Sequence, residues 1–171
     1  MKGSSDGLRM GEPGTDRIAL DDIDRRIIAL LTEDGRLSFR EVARRLDGVS
    51  PRVVRYRIGR LQKKAVIRIC AIVNPSTIGF PLTADVMVEV ASGRQRAVAE
   101  QLARLENVGY VAGSIDDGEL TITVYARDTD DLMGLVSGTI SRIPGITRTR
   151  TIFVPWIVKD VHEWRPPASM G

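Results

Sequence analysis

The chain has 171 residues, of which 43% are apolar and 27% charged, and a formal net charge of +3; this composition fits a globular protein of one large or two small domains. No apolar run reaches the ~18 residues of a membrane span, and residues 1–14 lack the apolar centre of a signal peptide, so we expect a cytoplasmic protein with no membrane partner. The single cysteine, Cys70, excludes an internal disulfide and a cysteine-rich zinc site.

Charge is distributed unevenly along the sequence. Residues 15–75 carry 14 Lys or Arg against 8 Asp or Glu, whereas residues 76–160 carry 8 against 11. Segments of opposite net charge indicate two domains with different partners, and the basic one is the candidate for binding nucleic acid.

The first predicted element follows a disordered tail at residues 1–16, which are rich in Gly, Ser, Asp and Glu. Asp21 is a candidate N-cap, and Asp24 lies in the first helical turn, where a carboxylate complements the helix dipole. Gly35 is expected to end this helix. Its apolar residues repeat at helical spacing: Ile23, Ile27, Leu30 and Leu31.

A second, shorter helix is predicted after Ser38, because Ser38 and Glu41 have the spacing of a capping box. The expected inward stripe is Phe39, Val42, Ala43 and Leu46. Residues 47–49 then form a turn in which Gly48 can take a positive φ.

The third helix begins with Ser50 as N-cap and Pro51 at the first helical position. Its inward residues are Val54, Ile58 and Leu61, and its opposite face is cationic. Such a face suits either an ordinary surface helix or a DNA recognition helix. The capped helix and short turn before it favour a helix-turn-helix, whose second helix enters the major groove.

Candidate DNA-binding residues are assigned by position on the helical wheel. The front of the cationic face is expected to reach base edges through Arg52, Arg55, Tyr56 and Gly59. Residues further back suit phosphates, namely Arg60 and Lys63. At the starts of the two helices the candidates are Ser38, Arg40 and Ser50. Arg57 flanks the apolar stripe, so it either contacts a phosphate or pairs with Asp24 or Glu33 to brace the helices.

Residues 66–73 alternate in the manner of a strand, which would be a wing or the start of an inter-domain strand. The DNA-binding domain is therefore predicted over residues 17–73. Two prolines and a glycine interrupt every periodicity in residues 74–81, which we interpret as a linker.

Residues 82–158 read as a second domain, followed by a tail at residues 159–171. Strands are predicted at residues 82–90, 108–115, 120–126 and 146–154, and helices at residues 93–105 and after Asp128. The order βαββαβ predicts a ferredoxin-like domain, so the fold class is α+β with a winged helix-turn-helix in front of it.

One face of a four-stranded sheet remains open when both helices cover the other. Both faces of residues 146–154 mix polar and apolar side chains, a pattern that predicts burial against a partner sheet. We therefore expect a homodimer through the second domain, which also suits DNA with paired half-sites.

Catalytic residues are not apparent. His162 is the single histidine, and the sequence has no Cys-His, Ser-His-Asp or two-His metal spacing and no Gly-rich phosphate loop. We expect no enzyme activity, no metal and no cofactor.

Taken together, these motifs resemble those of the Lrp/AsnC (leucine-responsive and asparagine-operon, feast/famine) family of transcriptional regulators over about residues 20–158. The matching motifs are Leu20-Asp21 with Asp24 and Ile27, Asp34-Gly35-Arg36, Ser50-Pro51 with Arg57, Ile58 and Leu61, Asn74-Pro75, and Pro144-Gly145-Ile146 with Thr149-Arg150-Thr151. The resemblance implies a winged-helix DNA-binding domain, a ferredoxin-like effector domain, dimers that assemble into octamers, and control by an amino acid or similar metabolite.

The resemblance also implies an effector site at a loop after the second strand. In the family this loop reads Gly-Asp-aromatic-Asp, and here it reads Gly113-Ser114-Ile115-Asp116, so Gly113 and Asp116 match and the middle two residues do not. The candidate effector-binding residues are Tyr110, Gly113, Ser114, Asp116, Ile152 and Val154.

The sequence thus predicts a regulator that binds specific double-stranded DNA and whose C-terminal domain oligomerises and responds to a small effector. The alternative is an architectural DNA-binding protein that oligomerises without an effector, and the altered loop motivates it.

Overall fold

In the computed structural model, residues 18–114 and 118–166 are described, and the chain divides into two units. Residues 73–160 form the C-terminal unit, while the residues before them and those from Val161 onward form the N-terminal unit. Each unit has its own apolar core. No helix among the described residues is long and apolar enough to cross a membrane.

The N-terminal unit contains three helices, α1 (Asp22–Glu33), α2 (Phe39–Arg45) and α3 (Pro51–Lys63). Their shared core is built from buried residues of all three helices and of the α2–α3 turn: Ile27, Ile28, Val42, Ala43, Leu46, Val54, Ile58 and Leu61. The expectation that Phe39 belongs to this core is wrong, since it is 41% exposed. Phe39 is the first residue of α2, and the buried stripe begins one turn later.

The turn between α2 and α3 is tight because Asp47 and Gly48 both adopt positive φ, of 40° and 75°. Glycine takes this conformation without a steric cost, and aspartate tolerates it better than most residues. The turn directs the chain from the end of α2 to the cap of α3.

The helix caps differ from the prediction in one respect. The reciprocal capping box lies at α1, where Asp24 N donates to Asp21 Oδ1 at 2.9 Å and Asp21 N to Asp24 Oδ2 at 3.4 Å. At α2, Ser38 Oγ accepts from Glu41 N at 3.2 Å, but the Glu41 carboxylate turns to Arg44 and Arg45 instead. The Glu41 carboxylate would complete a capping box at α2, but it pairs with the nearby guanidinium groups instead.

Residues 67–74 are not part of any sheet, so the strand predicted at 66–73 is wrong for the single chain. Within residues 18–114 and 118–166, the one sheet is the four-stranded sheet of the other unit. An extended segment becomes a strand when a neighbour pairs with its backbone groups, and alternation in the sequence does not supply that neighbour.

The C-terminal unit confirms the ferredoxin-like prediction. Its strands are β1 (Leu82–Val90), β2 (Val108–Gly113), β3 (Glu119–Ala126) and β4 (Ile146–Val154), and all pairs are antiparallel in the order β2-β3-β1-β4. Helix α4 (Gln95–Leu102) follows β1, and α5 (Thr129–Met133) follows β3.

Helix α5 continues irregularly to the start of β4. It becomes a π-helical segment over Gly134–Thr139 and a 3₁₀ turn over Ile140–Arg142. Two glycines within this segment lower its preference for a regular helix. The apolar repeat of the sequence had predicted a continuous helix here.

The register of the sheet separates an apolar face from an open one. Val86 and Val88 of β1 and Ile122 and Val124 of β3 are fully buried on the helix-covered face. The side chains between them on these strands point to the open face, which is mostly polar: Thr83, Asp85, Met87 and Glu89 on β1, and Glu119, Thr121, Thr123 and Tyr125 on β3.

The described end of the chain belongs to the N-terminal unit. After a 3₁₀ turn at Val161–Glu163, side chains of His162, Trp164 and Pro166 line a cavity of about 630 Å³ together with α1 residues such as Ile28 and Leu31. Part of the segment predicted as a tail at residues 159–171 therefore lines this cavity, through residues up to Pro166. The tail predicted at residues 1–16 lies outside the described residues.

Candidate nucleic-acid interface

Helix α3 is positioned by its start and by its inner face. Ser50 Oγ accepts from Val53 N at 3.3 Å, and Pro51 occupies the first helical position. Val54, Ile58 and Leu61 are at most 4% exposed, as predicted. The inner residues fix the rotation of the helix about its axis, so its remaining residues have to face solvent.

The outer surface of α3 forms a shallow groove of about 590 Å³, which we call the basic face. It is lined by Arg52, Arg55, Tyr56, Gly59, Arg60, Lys63 and Lys64. Tyr56 is 71% exposed, and a Cβ added at Gly59 would meet no atom within 4 Å. Five cations with no carboxylate among the lining residues make a surface suited to a polyanion.

Arg57 lies behind the basic face and pairs with α1. Its Nη1 donates to Asp21 Oδ1 at 2.7 Å, to Asp21 Oδ2 at 2.6 Å and to Asp24 Oδ1 at 3.0 Å, and its side chain is 20% exposed. Of the two partners expected for a brace, Asp24 is therefore the one that pairs. The hydrogen bond from Arg57 lowers the pKa of Asp21, and the same bond raises the pKa of Arg57.

Arg60 also reaches Asp24. Its Nη2 donates to Asp24 Oδ2, while 39% of its side chain stays exposed on the basic face. Asp24 is fully buried and is the one charged residue that is buried in the described part of the chain. The sequence predicted that Asp24 lies in the first turn of α1, but it did not predict the bond from Arg60. Residue spacing along one helix does not show which residues of another helix will contact it.

Ser38 and Arg40 lie at the start of α2, apart from the groove of the basic face, whose lining does not include them. Ser38 caps its own helix, and Arg40 is exposed. Ser50, at the start of α3, is likewise exposed and occupied as a cap. These three residues and Arg57 remain predictions as DNA contacts.

The candidate effector residues do not come together within one chain. Tyr110 and Gly113 belong to β2, whereas Ile152 and Val154 belong to β4, at the opposite edge of the sheet. Two strands lie between, so the edges are about 14 Å apart at a strand spacing of about 4.8 Å. One chain therefore does not bring the two sets together, and a site between chains, which the resemblance implies, remains a prediction; Asp116 lies outside the described residues.

The start of the predicted effector loop is held by bonds within the chain. Ser114 N and Oγ both donate to Glu119 O, at 3.0 and 3.1 Å. Gln95 Nε2, from the start of α4, donates to Ser114 O at 3.2 Å and to Glu119 O at 3.1 Å. Sequence analysis missed Gln95, because a glutamine on a helix surface carries no pattern that marks such a contact.

Metal binding is not supported by the described residues, where no group of three or more His, Cys, Asp or Glu side chains could hold an ion. His162 and Cys70, the candidates with the most versatile chemistry, both line the cavity beside α1 and not the basic face.

Family comparisons agree with this division of the chain. The model of the AsnC-type helix-turn-helix domain matches residues 20–62, and that of the Lrp/AsnC ligand binding domain matches residues 83–163. The HTH-type transcriptional regulator FL11 of Pyrococcus abyssi is 32% identical over 148 residues, which cover 86% of this chain and 97% of that protein.

Solved structures share the fold. Escherichia coli AsnC has a TM-score of 0.74 at 23% identity, with 85% of this chain and 99% of that chain covered. A transcriptional regulator of Neisseria meningitidis, solved in complex with L-Met, has a TM-score of 0.75 at 21% identity, with 83% and 94% covered.

Proposed function

Since the chain belongs to the Lrp/AsnC family of transcriptional regulators, we propose that it binds specific double-stranded DNA through the basic face of α3 and responds to a small effector through its C-terminal unit. The observation that carries the DNA proposal is the basic face itself, where five cations and Tyr56 surround an open glycine. A major groove is wide enough for such a helix, and arginines reach guanine edges there.

Specific DNA binding is tested with the duplex of highest affinity that the full-length protein selects from a random library. Replacing Arg52 and Arg55 by Ala should weaken binding to that duplex by about tenfold or more per residue and relax the preference for its sequence. Arg104→Ala, an exposed arginine of the C-terminal unit, is the matched control and should leave affinity unchanged. Equal affinities for all three variants and the wild type would contradict the assignment of α3.

Homodimerisation through the open face of the sheet is the second part of the proposal. β1 and β3 present carboxylates, Asp85, Glu89 and Glu119, while β4 presents Arg148 and Arg150 on the same face. Within the chain Arg148 Nη1 lies 3.7 Å from Glu89 Oε1, and in a two-fold dimer we expect such charges to pair across the interface as well. Covering this face would also bury Ile152, which is 43% exposed.

Sedimentation velocity on the full-length protein tests the assembly. We expect a dimer at micromolar concentration, with octamers forming at higher concentration, and Arg148→Glu with Arg150→Glu should shift the dimer toward monomer. A monomer at micromolar concentration in the wild type would overturn this part of the proposal.

The effector proposed for the C-terminal unit is an amino acid or a similar small metabolite. The family model supports it, as does the relative solved with L-Met, although the two chains differ at most positions. The alternative, an architectural protein without an effector, is favoured by one observation: the polar groups of Ser114 are already bonded within the chain to Glu119 and Gln95.

Thermal-shift measurements with each amino acid separate the two. A ligand that binds the folded state raises the melting temperature with its concentration. Stabilisation by one or a few amino acids would support the effector, and its absence for all of them, with DNA binding intact, would support the architectural protein.

A further inference from the structure

We infer that Asp24 is a positioning residue for DNA binding, which holds the guanidinium of Arg60 at the rim of the basic face so that Arg60 bridges the carboxylate and a DNA phosphate. This inference rests on the proposed function of α3 and adds a residue that itself touches no DNA.

The geometry of Asp24 supports the bridge. Its side chain is fully buried, and each carboxylate oxygen accepts from a different arginine: Oδ1 from Arg57 Nη1 at 3.0 Å and Oδ2 from Arg60 Nη2. Arg57 is additionally held by both oxygens of Asp21. Arg57 holds Oδ1, and Asp21 N donates to Oδ2 at 3.4 Å in the capping box, so the carboxylate is fixed in place where Oδ2 also accepts from Arg60.

The geometry of Arg60 supports the other half of the bridge. A guanidinium has five N–H donors in a planar fork, and among the described residues Asp24 is the one acceptor for Arg60. Its side chain is 39% exposed and lines the groove beside Gly59 and Lys63. The remaining donors are therefore available on the surface that faces DNA, and a planar fork can serve two anions at once.

Formal charges show that Asp24 does not simply strengthen the positive field. Asp21, Asp24, Arg57 and Arg60 together are neutral, so the cluster adds no net charge to the basic face. Its contribution is a fixed location, because an arginine already held in one rotamer loses less conformational entropy on binding a phosphate.

The test replaces one arginine of the basic face and one arginine outside it by lysine, and measures binding to the selected duplex and to a scrambled duplex of equal length. Lysine carries the charge of arginine without its planar fork, so Arg60→Lys should weaken binding to the selected duplex about as much as Arg60→Ala, by about tenfold. Arg104→Lys, the same exchange at an exposed arginine of the C-terminal unit, is the matched control and should bind as the wild type does. Wild-type affinity in Arg60→Lys would overturn the inference.

Asp24→Asn provides the second arm. It removes a negative charge, so binding to the scrambled duplex should be unchanged or tighter, whereas binding to the selected duplex should weaken about tenfold. Adding Arg60→Ala to Asp24→Asn should then cost clearly less than Arg60→Ala costs in the wild type, and additive effects would overturn the inference. Circular dichroism checks the fold, and if Asp24→Asn is unfolded, the comparison of Arg60→Lys with Arg104→Lys decides alone.

Failure of this inference is distinguishable from failure of the proposed function. If Arg52→Ala and Arg55→Ala weaken binding while Arg60→Lys does not, the DNA interface stands and the bridge is wrong. If the library yields no preferred duplex, the proposed specific binding itself fails.

Discussion

The two units place their carboxylates differently. In the N-terminal unit a fully buried carboxylate, Asp24, ties α1 to α3 through two arginines. In the C-terminal unit the buried cluster is entirely apolar, and carboxylates such as Asp85 and Glu89 lie on the open sheet face. A buried ion pair is seldom the cheapest way to stabilise a fold, but it fixes orientation, which matters for a helix that has to present arginines to DNA.

Residues in the two cores also differ in number. Among the described residues the N-terminal core has 8 buried apolar side chains and the C-terminal core has 13. A small core supplies less stability, so the N-terminal unit depends more on caps and ion pairs.

Shortening a buried side chain in the core of the C-terminal unit should have the largest effect on stability. Ile122 is fully buried in the centre of the sheet, and Ile122→Ala should destabilise that unit by about 3–4 kcal/mol. Hydrogen–deuterium exchange read by mass spectrometry should show the loss in β1 and β3, with α1–α3 unaffected. Met133→Ala, at an exposed position at the end of α5, is the control at under about 1 kcal/mol, and equal losses would contradict the importance of burial at Ile122.

Removing the buried carboxylate should destabilise the N-terminal unit. Asp24→Ala leaves Arg60 without its acceptor and Arg57 with Asp21 alone, at a cost of about 2–3 kcal/mol, since both arginines retain some access to water. Exchange should increase in α1 and α3 and stay constant in the sheet. Unchanged protection of both helices would mean that the ion pairs contribute nothing to their packing.

At Gly59 stability and function should move in opposite directions. An added Cβ meets no atom, and alanine favours helix, so Gly59→Ala should stabilise the N-terminal unit by about 0.5–1 kcal/mol. Its affinity for the selected DNA should nevertheless fall, because the methyl group lies between α3 and the bases. Gly48→Ala, at a φ of 75°, should instead destabilise by about 1 kcal/mol. Unchanged DNA affinity in Gly59→Ala would show that the DNA does not approach α3 there.

Lowering the pH should have the smallest effect on stability, and it should act on both units. The hydrogen bond from Arg57 lowers the pKa of Asp21 below 3.8, and that from Arg127 does the same for Asp131. Each pair therefore adds stability above pH 3.8, which is lost as the pH falls through the lowered pKa of the folded state.

Single substitutions assign this acid effect to its unit. Asp21→Asn should reduce the loss of protection between pH 6 and pH 3 in the N-terminal unit, and Asp131→Asn should do so in the C-terminal unit. If neither variant differs from the wild type, these exposed pairs do not contribute to acid sensitivity.

Helix and strand positions were largely predictable from the sequence. Periodicity identified the inner faces of α1 and α3 and located β1 and β4 to the residue, since a buried face requires a fixed apolar repeat. It failed for Phe39 and for residues 66–73, where burial or strand pairing depends on a neighbour. The irregular helix after Met133 was also missed, although Gly134 and Gly138 weaken the preference of this segment for a regular helix.

Of the candidate sites, the basic face followed directly from the sequence. Once Val54, Ile58 and Leu61 are assigned to the inside, helical geometry places Arg52, Arg55 and Tyr56 on the outside. The effector residues were predicted from the family resemblance alone. That resemblance gave no strand order, so it did not show that β2 and β4 lie at opposite edges of the sheet. The strand order separates Tyr110 from Ile152.

By itself, the sequence determined the two domains, their order of elements and the cationic side of α3, because each follows from local spacing and composition. Only the tertiary structure showed that two arginines of α3, Arg57 and Arg60, pair with carboxylates of α1. Asp21 and Asp24 lie more than 30 residues before Arg57 and Arg60, and folding brings them within hydrogen-bond distance. Local sequence rules describe the faces of each helix, whereas ion pairs between helices depend on how the helices pack.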